Sequence, residues 1–322
     1  MGVLRRFSGI GARAFQGAGK GKTLAVGATA AVAGSALIAG AVAAANARLH
    51  DVHRIRTAHG QAFIKTIRIA NGAPVRVLQQ GGVYQSATYL DARRFEPVFA
   101  YYRAFDAMFE VESAFAKLTG HGIRTVLMIG GGGFSYPKHL LTSKSDIQMD
   151  VVEVDPAIVA AARRWFFVDA LERMLADSST SCGNSLRVIT EDGRMFLQAP
   201  SAPDAPVCYD AIVNDAFSGA VPVRALATVE AARAVKARLS MGGLYLANVV
   251  SRAEGTDLSF LRSEVATLLQ VFAHVHVVPC ADATFGGEDN YLVIATDGAY
   301  DFAEDVPYDA DFLGEVLIDG TR

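Results

Sequence analysis

The segment VLMIGGGGFSYPKHLL, Val126 to Leu141, constrains the fold more than any other part of the chain. Its apolar lead-in has no polar alternation, as expected of a strand buried on both faces in a parallel sheet. Gly130 to Gly133 follow at the carboxyl end of that strand. Glycine lets a backbone turn tightly and approach a ligand with no Cβ in the way. The amphipathic stretch beyond opens a helix whose first N–H groups lack intrahelical partners. The dinucleotide pattern G-x-G-x-x-G is incomplete, because Ser135 stands at the third glycine. Taken alone, the segment is equally readable as a tight turn that holds no ligand.

The elements around it define the fold class. Before it, FIKTIRI, VRVLQQ and VYQSATY read as short strands, with Asn71-Gly72 and Gly81-Gly82 as turns. RRFEPVFAYYRAFDAMFEVESAFAKL then carries apolar residues at helical spacing. From Arg124 onward strands alternate with helices. The strands are RTVLMIG, MDVVEV, LRVIT, YDAIVND, GLYLANVV, HVHVVP and NYLVIAT. The helices include PAIVAAARRWF, capped by Asp155 with Pro156 at its first position, VPVRALATVEAARAVKARLS, and DLSFLRSEVATLLQVF. This order predicts an α/β fold, a doubly wound, Rossmann-like seven-stranded sheet preceded by a small antiparallel β module. The expected division is a leader over 1–46, the β module and a connecting helix over 47–118, and the sheet domain over 119–322.

Ligands bind such sheets at the carboxyl ends of the strands. Three acids fall there. Glu153 ends the second parallel strand, about twenty residues after the glycines, where an acid accepts hydrogen bonds from ribose hydroxyls. Asp192-Gly193 follows the third strand, and Asp215 ends the fourth. Each has a plainer reading: a surface acid, a type I′ turn and a helix N-cap respectively. Together, behind a glycine-rich first turn, they point to a nucleoside site.

Composition excludes several classes. Thirty-three acids against thirty Lys and Arg give a net charge of −3. That lacks the basic surplus of a dedicated nucleic-acid binder. Cys182, Cys208 and Cys280 show no metal-ligand spacing and read as small buried hydrophobes in a reducing compartment. His50, His53 and His59 read as surface residues. His274 and His276 alternate on one strand face. No metal site is expected.

The N-terminus is basic and glycine-rich, and Leu24 to Ala45 carries no charge. At about 1.5 Å per residue that run is long enough to cross a bilayer as a helix, although Ala and Gly drive insertion weakly. A signal anchor, a signal peptide cleaved near Ala47 and a disordered leader all remain open. The flanking basic residues balance, so they set no orientation. The expected location of the sheet domain is cytoplasmic, with membrane association through 24–45 and a homodimer left open. Export after cleavage near Ala47 is the alternative.

The segments LQQGGVYQSATYLD, VLMIGGGGFSYPKHL, MDVVEVDPAIVAAARRWF, LRVITEDGRMFL and YDAIVNDAFSGAVP resemble the spermidine synthase-like branch of the S-adenosylmethionine-dependent transferases. The resemblance covers about residues 65 to 296. It implies a methyltransferase-like sheet domain behind a small β module. It also implies S-adenosylmethionine or its decarboxylated form as co-substrate, and an amine-type acceptor receiving an aminopropyl or methyl group. By resemblance, Gly130 and Gly132 pass along the nucleoside's tail, Glu153 holds the ribose, and Asp192 with Gly193 meets the adenine. Gln85 and Tyr101 line the cleft near the transferred group, and Asp215 helps deprotonate the acceptor. Two positions depart from the family pattern. Gly133 and Ser218 stand where polyamine synthases usually carry acids, which weakens the case for putrescine as acceptor. The alternative function is a membrane-tethered, catalytically altered nucleoside-binding protein. An NAD-dependent oxidoreductase is disfavoured by the missing third glycine.

Overall fold

The computed structural model describes residues 52–69, 72–200, 208–218, 221–250, 257–280 and 290–320. The 24–45 run and His50 lie outside them. Among the described residues no helix is long and apolar enough to cross a membrane.

Four strands form the N-terminal antiparallel sheet in the order β1-β2-β3-β4: β1 His53–Thr57, β2 Gly60–Arg68, β3 Pro74–Gln80 and β4 Val83–Tyr89. The sequence reading missed β1. It is an edge strand with Ile55 as its one large apolar residue, so hydrophobic alternation gives it little signal. The single helix expected after β4 is instead two pieces, a 3-10 helix over Ala100–Phe109 and α1 over Glu112–Thr119. Pro97 bridges back to Thr88, holding the preceding segment out of helical geometry.

The second sheet has seven strands in the order β12-β13-β11-β8-β5-β6-β7. These are β5 Thr125–Ile129, β6 Gln148–Glu153, β7 Ser185–Thr190, β8 Tyr209–Asn214, β11 Leu239–Val250, β12 His274–Cys280 and β13 Asn290–Thr296. β9 Phe217–Ser218 and β10 Val221–Pro222 form a separate small hairpin. β5 to β8 and β11 pair in parallel, whereas β13 runs antiparallel to both β11 and β12. Only nine residues separate β12 from β13, too few for the crossover that a parallel neighbour needs.

Alternation along these buried strands sorts their side chains into two cores. Val126, Met128, Ala211, Val213, Leu244, Leu246, Leu292 and Ile294 pack with Tyr102, Phe105 and Met108 of the 3-10 helix. Leu127, Ile129, Ile212, Tyr245, Ala247 and Val293 pack on the opposite face with Val235, Leu261 and Val265. Those last three come from α6 Val229–Ala237 and α7 Ser259–Leu268; α2 Ser135–Ser143, α3 Pro156–Trp165, α4 Val168–Ala176 and α5 Gly193–Gln198 complete the helices. The expected helix beginning at Val221 starts later, at Val229, because Thr228 accepts from Ala231 N and caps it there. α4 had not been read from the sequence. The cysteine reading also needs correction: Cys182 and Cys208 are exposed, each in an irregular segment where no apolar face covers it.

The chain runs β5-β6-β7 toward one edge of the sheet and β8-β11 toward the other. The direction therefore reverses between β5 and β8, which is where such sheets open a crevice. The N-terminal sheet closes over this end. Ala62, Ile64 and Leu78 pack on Ile158, Ala161 and Phe166. Asp155 fastens the join, with Oδ1 accepting from Ala157 N at 2.8 Å to cap α3 and Oδ2 accepting from Ala58 N at 2.5 Å. Asp155→Ala removes both bonds. Loss of the cap alone should cost about 1–2 kcal/mol, and a lowered urea midpoint at unchanged m-value checks it.

Candidate functional site

A cleft of about 540 Å³ opens at the carboxyl ends of β5, β6 and β8, beneath the N-terminal sheet. Gln85, Tyr101, Gly130, Gly132, Glu153, Asp192, Gly193 and Asp215, the eight residues expected at the site, all line it. They arrive from β4, the 3-10 helix and the ends of four parallel-sheet elements.

The glycines divide the work. Gly130 has φ +92°, and a Cβ there would lie 2.6 Å from the carbonyl oxygen of Asp215. Asp215 N in turn donates to Ile129 O at 2.9 Å. The ends of β5 and β8 therefore touch backbone to backbone, which only glycine permits. Gly133 is confined differently: a Cβ would lie 2.6 Å from Ser86 Oγ and 2.9 Å from the Phe166 ring. Ser86 Oγ also meets Ser135 Oγ at 3.0 Å. The space beside Gly133 is thus filled by a packed contact between β4 and the glycine turn. A Cβ at Gly193 would run into the Ile129 side chain, so this residue too is fixed by packing.

Glu153 is buried and already engaged. Its Oε2 accepts from Gly131 N and Gly132 N, both at 3.0 Å, and its Oε1 accepts from Asp155 N at 3.0 Å. A carboxylate offers about four acceptor sites, so roughly one remains for a ligand hydroxyl. Asp192 caps α5 by accepting from Met195 N at 2.9 Å through Oδ1. That is a helix cap and not the type I′ turn considered from sequence.

Asp215 lies just past the end of β8. Its Oδ1 accepts from Asn248 Nδ2 at 2.8 Å and its Oδ2 from the Tyr101 hydroxyl at 3.2 Å. Tyr101 packs on Tyr102 with ring centroids 4.2 Å apart. Burial pushes the Asp215 carboxyl up to about 7, against the opposing pull of the hydrogen bonds from Asn248, Tyr101 and Tyr102. The residue keeps some exposure to the cleft, so water tempers that burial. The Tyr101 hydroxyl is raised well above its usual range, chiefly by burial and then by the Asp215 charge, and stays a neutral donor. A carboxylate poised near neutrality beside an open cleft can accept a proton from a bound group.

Sequence reasoning missed Asn248 and Asn290. The signal was present: Asn248 interrupts the apolar row LYLANVV, and Asn290 heads the apolar run of NYLVIAT. Among the described residues no group of three His, Cys, Asp or Glu side chains converges as a metal site would require. His276 of the alternating pair is held by Asp305, with Nδ1 to Oδ2 at 2.7 Å, far along the chain from the cleft residues.

A family model described as the spermine/spermidine synthase domain matches residues 110–281, just over half of the chain. A polyamine aminopropyltransferase of Vibrio vulnificus (strain CMCP6) is 30% identical over 151 residues, which is 47% of this chain and 44% of that protein. The match therefore spans less than half the length of this relative. Among solved structures, a probable spermidine synthase from Corynebacterium glutamicum ATCC 13032 superposes with a TM-score of 0.57 at 22% identity, covering 77% of this chain and 81% of that one. A spermidine synthase in complex with the transition state analogue AdoDATO superposes at 0.55 with 15% identity, covering 81% and 82%. These likenesses establish a shared fold, with the small antiparallel sheet set against the seven-stranded one.

The packing at Gly133 yields a test. Gly133→Ala should lose about 1–3 kcal/mol through overpacking, and Gly133→Asp at least as much. Pairing either with Ser86→Gly should recover part of the loss by removing the nearer obstacle. Thermal unfolding of the single and double variants measures this, and wild-type stability in Gly133→Asp would mean the turn has room for the acid.

Proposed function

We propose, on the premise that the chain belongs to the spermine/spermidine synthase family, that it transfers an aminopropyl group from decarboxylated S-adenosylmethionine to an amine. One observation carries this reading. Glu153, Asp155, Asp192 and Asp215 line the cleft, while the described lining residues include no Lys or Arg. Decarboxylated S-adenosylmethionine brings a sulfonium and an ammonium, both positive. S-adenosylmethionine would bring an α-carboxylate to a wall without a counter-cation. The backbone amides best placed to receive that anion, Gly131 N and Gly132 N, already donate to Glu153.

In this proposal the nucleoside lies across the ends of β5, β6 and β7. Gly130 and Gly132 flank its tail, the remaining acceptor site of Glu153 takes a ribose hydroxyl, and Asp192 with Gly193 borders the adenine. Ile129, Ile158 and Leu226 give the apolar walls. The acceptor enters past Gln85 and Tyr101. Its amine lone pair attacks the methylene carbon bonded to sulfur, the new C–N bond forms as the C–S bond breaks, and the thioether nucleoside leaves. The sulfonium carbon is already electrophilic, so alignment and a free lone pair are what the protein must supply. Asp215 takes the proton released from the amine. The retained geometry around Asp215 favours turnover over a binding-only role.

With Gly133 packed against Ser86 and serine at 218, two family acids are absent from the acceptor half. An amine of lower charge than a polyamine suits it, and putrescine should be a weak acceptor. An aminopropyl transfer assay comparing putrescine with monoamines decides this, and rapid transfer to putrescine would mean that other carboxylates hold its distal ammonium. A thermal-shift panel tests the donor. Decarboxylated S-adenosylmethionine and methylthioadenosine should stabilise the protein more than S-adenosylmethionine or NAD, with about 2.7 kcal/mol gained at one hundred times Kd. Stronger stabilisation by S-adenosylmethionine would instead support methyl transfer.

Asp215→Asn should lower transfer by about 10²- to 10⁴-fold while leaving nucleoside binding intact. It should also change stability with a definite pH dependence. An unfolded-chain aspartate titrates near about 3.9, whereas folded Asp215 holds its proton up to about 7. Its contribution to stability is therefore full below the lower value and lost as pH rises through the upper one. The variant should melt above the wild type at pH 8, and that advantage should shrink toward pH 4. Wild-type turnover in Asp215→Asn would remove it from the chemistry.

A further inference from the structure

Besides Tyr101, Asp215 is held by Asn248, with Asn290 behind it, and both asparagines come from strands outside the sequence segments that carry the resemblance. Asp215, Asn248 and Asn290 belong to three neighbouring strands of the sheet, at the end of β8, in β11 and at the start of β13. Ala247 is in register with Asn214, which sets Asn248 beside Asp215, and Asn290, opposite Val250, lies diagonal to Asn248 across the β11–β13 pair. Alternation puts Asn248 on the same face as Leu244 and Leu246, and Asn290 on the same face as Leu292 and Ile294. That face is packed by the 3-10 helix carrying Tyr101 and Tyr102. One amide within an apolar row and one at the head of the next thus stand in line with Asp215.

The contacts run in one direction. Asn290 Nδ2 donates to Asn248 Oδ1 at 2.9 Å, and Asn248 Nδ2 donates to Asp215 Oδ1 at 2.8 Å. Elementary chemistry fixes this polarity. An ionised carboxylate only accepts, so Asn248 must present its NH₂ to Asp215. Its carbonyl oxygen then faces Asn290 and requires a donor, which the NH₂ of Asn290 supplies. Asn248 is 8% exposed, so reversing it would set acceptor against acceptor with little water to compensate.

We propose that Asn248 and Asn290 are positioning residues, a two-amide relay across β13 and β11 that fixes the Asp215 carboxylate with one oxygen anchored to the sheet and the other beside Tyr101. The relay biases Asp215 toward its ionised form, because the amide N–H serves only the charged oxygen well. The titratable groups facing Asp215 are Tyr101 and Tyr102 of the 3-10 helix. β5 contributes Gly130, β4 contributes Gln85 and Tyr84, and Glu153 and Asp192 stand on the nucleoside side of the cleft. The role of the relay in catalysis rests on Asp215 as proton acceptor, but its effect on the carboxyl does not.

The test separates the two. In ligand-free protein labelled with ¹³C-carboxyl aspartate, the Asp215 signal is assigned by its loss in Asp215→Asn. Asn248→Ala should then move the Asp215 midpoint upward by about one pH unit, a tenfold gain in proton affinity. Asn290→Ala, which leaves Asp215 untouched, should move it the same way by less. The acid limb of kcat/KM should shift in parallel, with the Kd for methylthioadenosine unchanged. An unmoved Asp215 midpoint in folded Asn248→Ala overturns the relay. A moved midpoint with an unmoved acid limb supports the relay and overturns Asp215 as the proton acceptor.

Discussion

The approach of Gly130 to the backbone of Asp215 is the constraint on which the rest of the site depends. β5 and β8 lie side by side at the point where the chain changes direction across the sheet. In a parallel sheet the loops leaving two such strands diverge to opposite faces, and the gap between them is the crevice. Here the two strand ends are drawn together until no Cβ fits at 130. That contact sets Asp215 at the floor of the cleft, and the next two residues of the glycine turn reach Glu153 on β6. One close approach thus bears on both carboxyls, Asp215 at one side of the cleft and Glu153 at the other.

The two acids then experience opposite environments. Glu153 accepts three backbone N–H bonds, so its charge is compensated within the protein. Asp215 receives only neutral side-chain donors and is pushed up to about 7 by burial. The described lining of the cleft around them has acids and no Lys or Arg.

Much of this was legible in the sequence. The apolar run before Gly130, the order of strands and helices, and the acids at the strand ends located the seven-stranded sheet and the cleft. The first two signals arise from burial, which writes itself into hydrophobic pattern, and the acids stand out where those apolar strands end. What the pattern left out had weaker local causes. β1 is an edge strand whose pairing, not its apolar content, makes it a strand. The 3-10 helix and α1 read as one helix because their apolar spacing continues across the break. Asn248 and Asn290 sat inside strands recognised as strands, but polar residues in an apolar row acquire meaning only when their neighbours across the sheet are known. The exposure of Cys182 and Cys208 depends on irregular segments for which composition gives no face.

The departure at Gly133 is better understood through the helix that follows. α2 is stitched to β4 by buried polar contacts. Ser135 Oγ donates to Ala87 O at 2.9 Å and meets Ser86, while Lys138 Nζ donates to Thr88 Oγ1 at 3.0 Å and to Phe166 O at 2.9 Å. Lys138 is 1% exposed, and burial lowers its amine to about 7. These two acceptors hold the buried nitrogen in place. Thr88 Oγ1 donates onward to Arg94 O at 2.9 Å, on the path to the 3-10 helix that carries Tyr101. A carboxylate at 133 would enter this seam between Ser86 and Phe166. Glycine at 133 is therefore matched to a hydroxyl and amine join between α2 and the strand bearing Gln85.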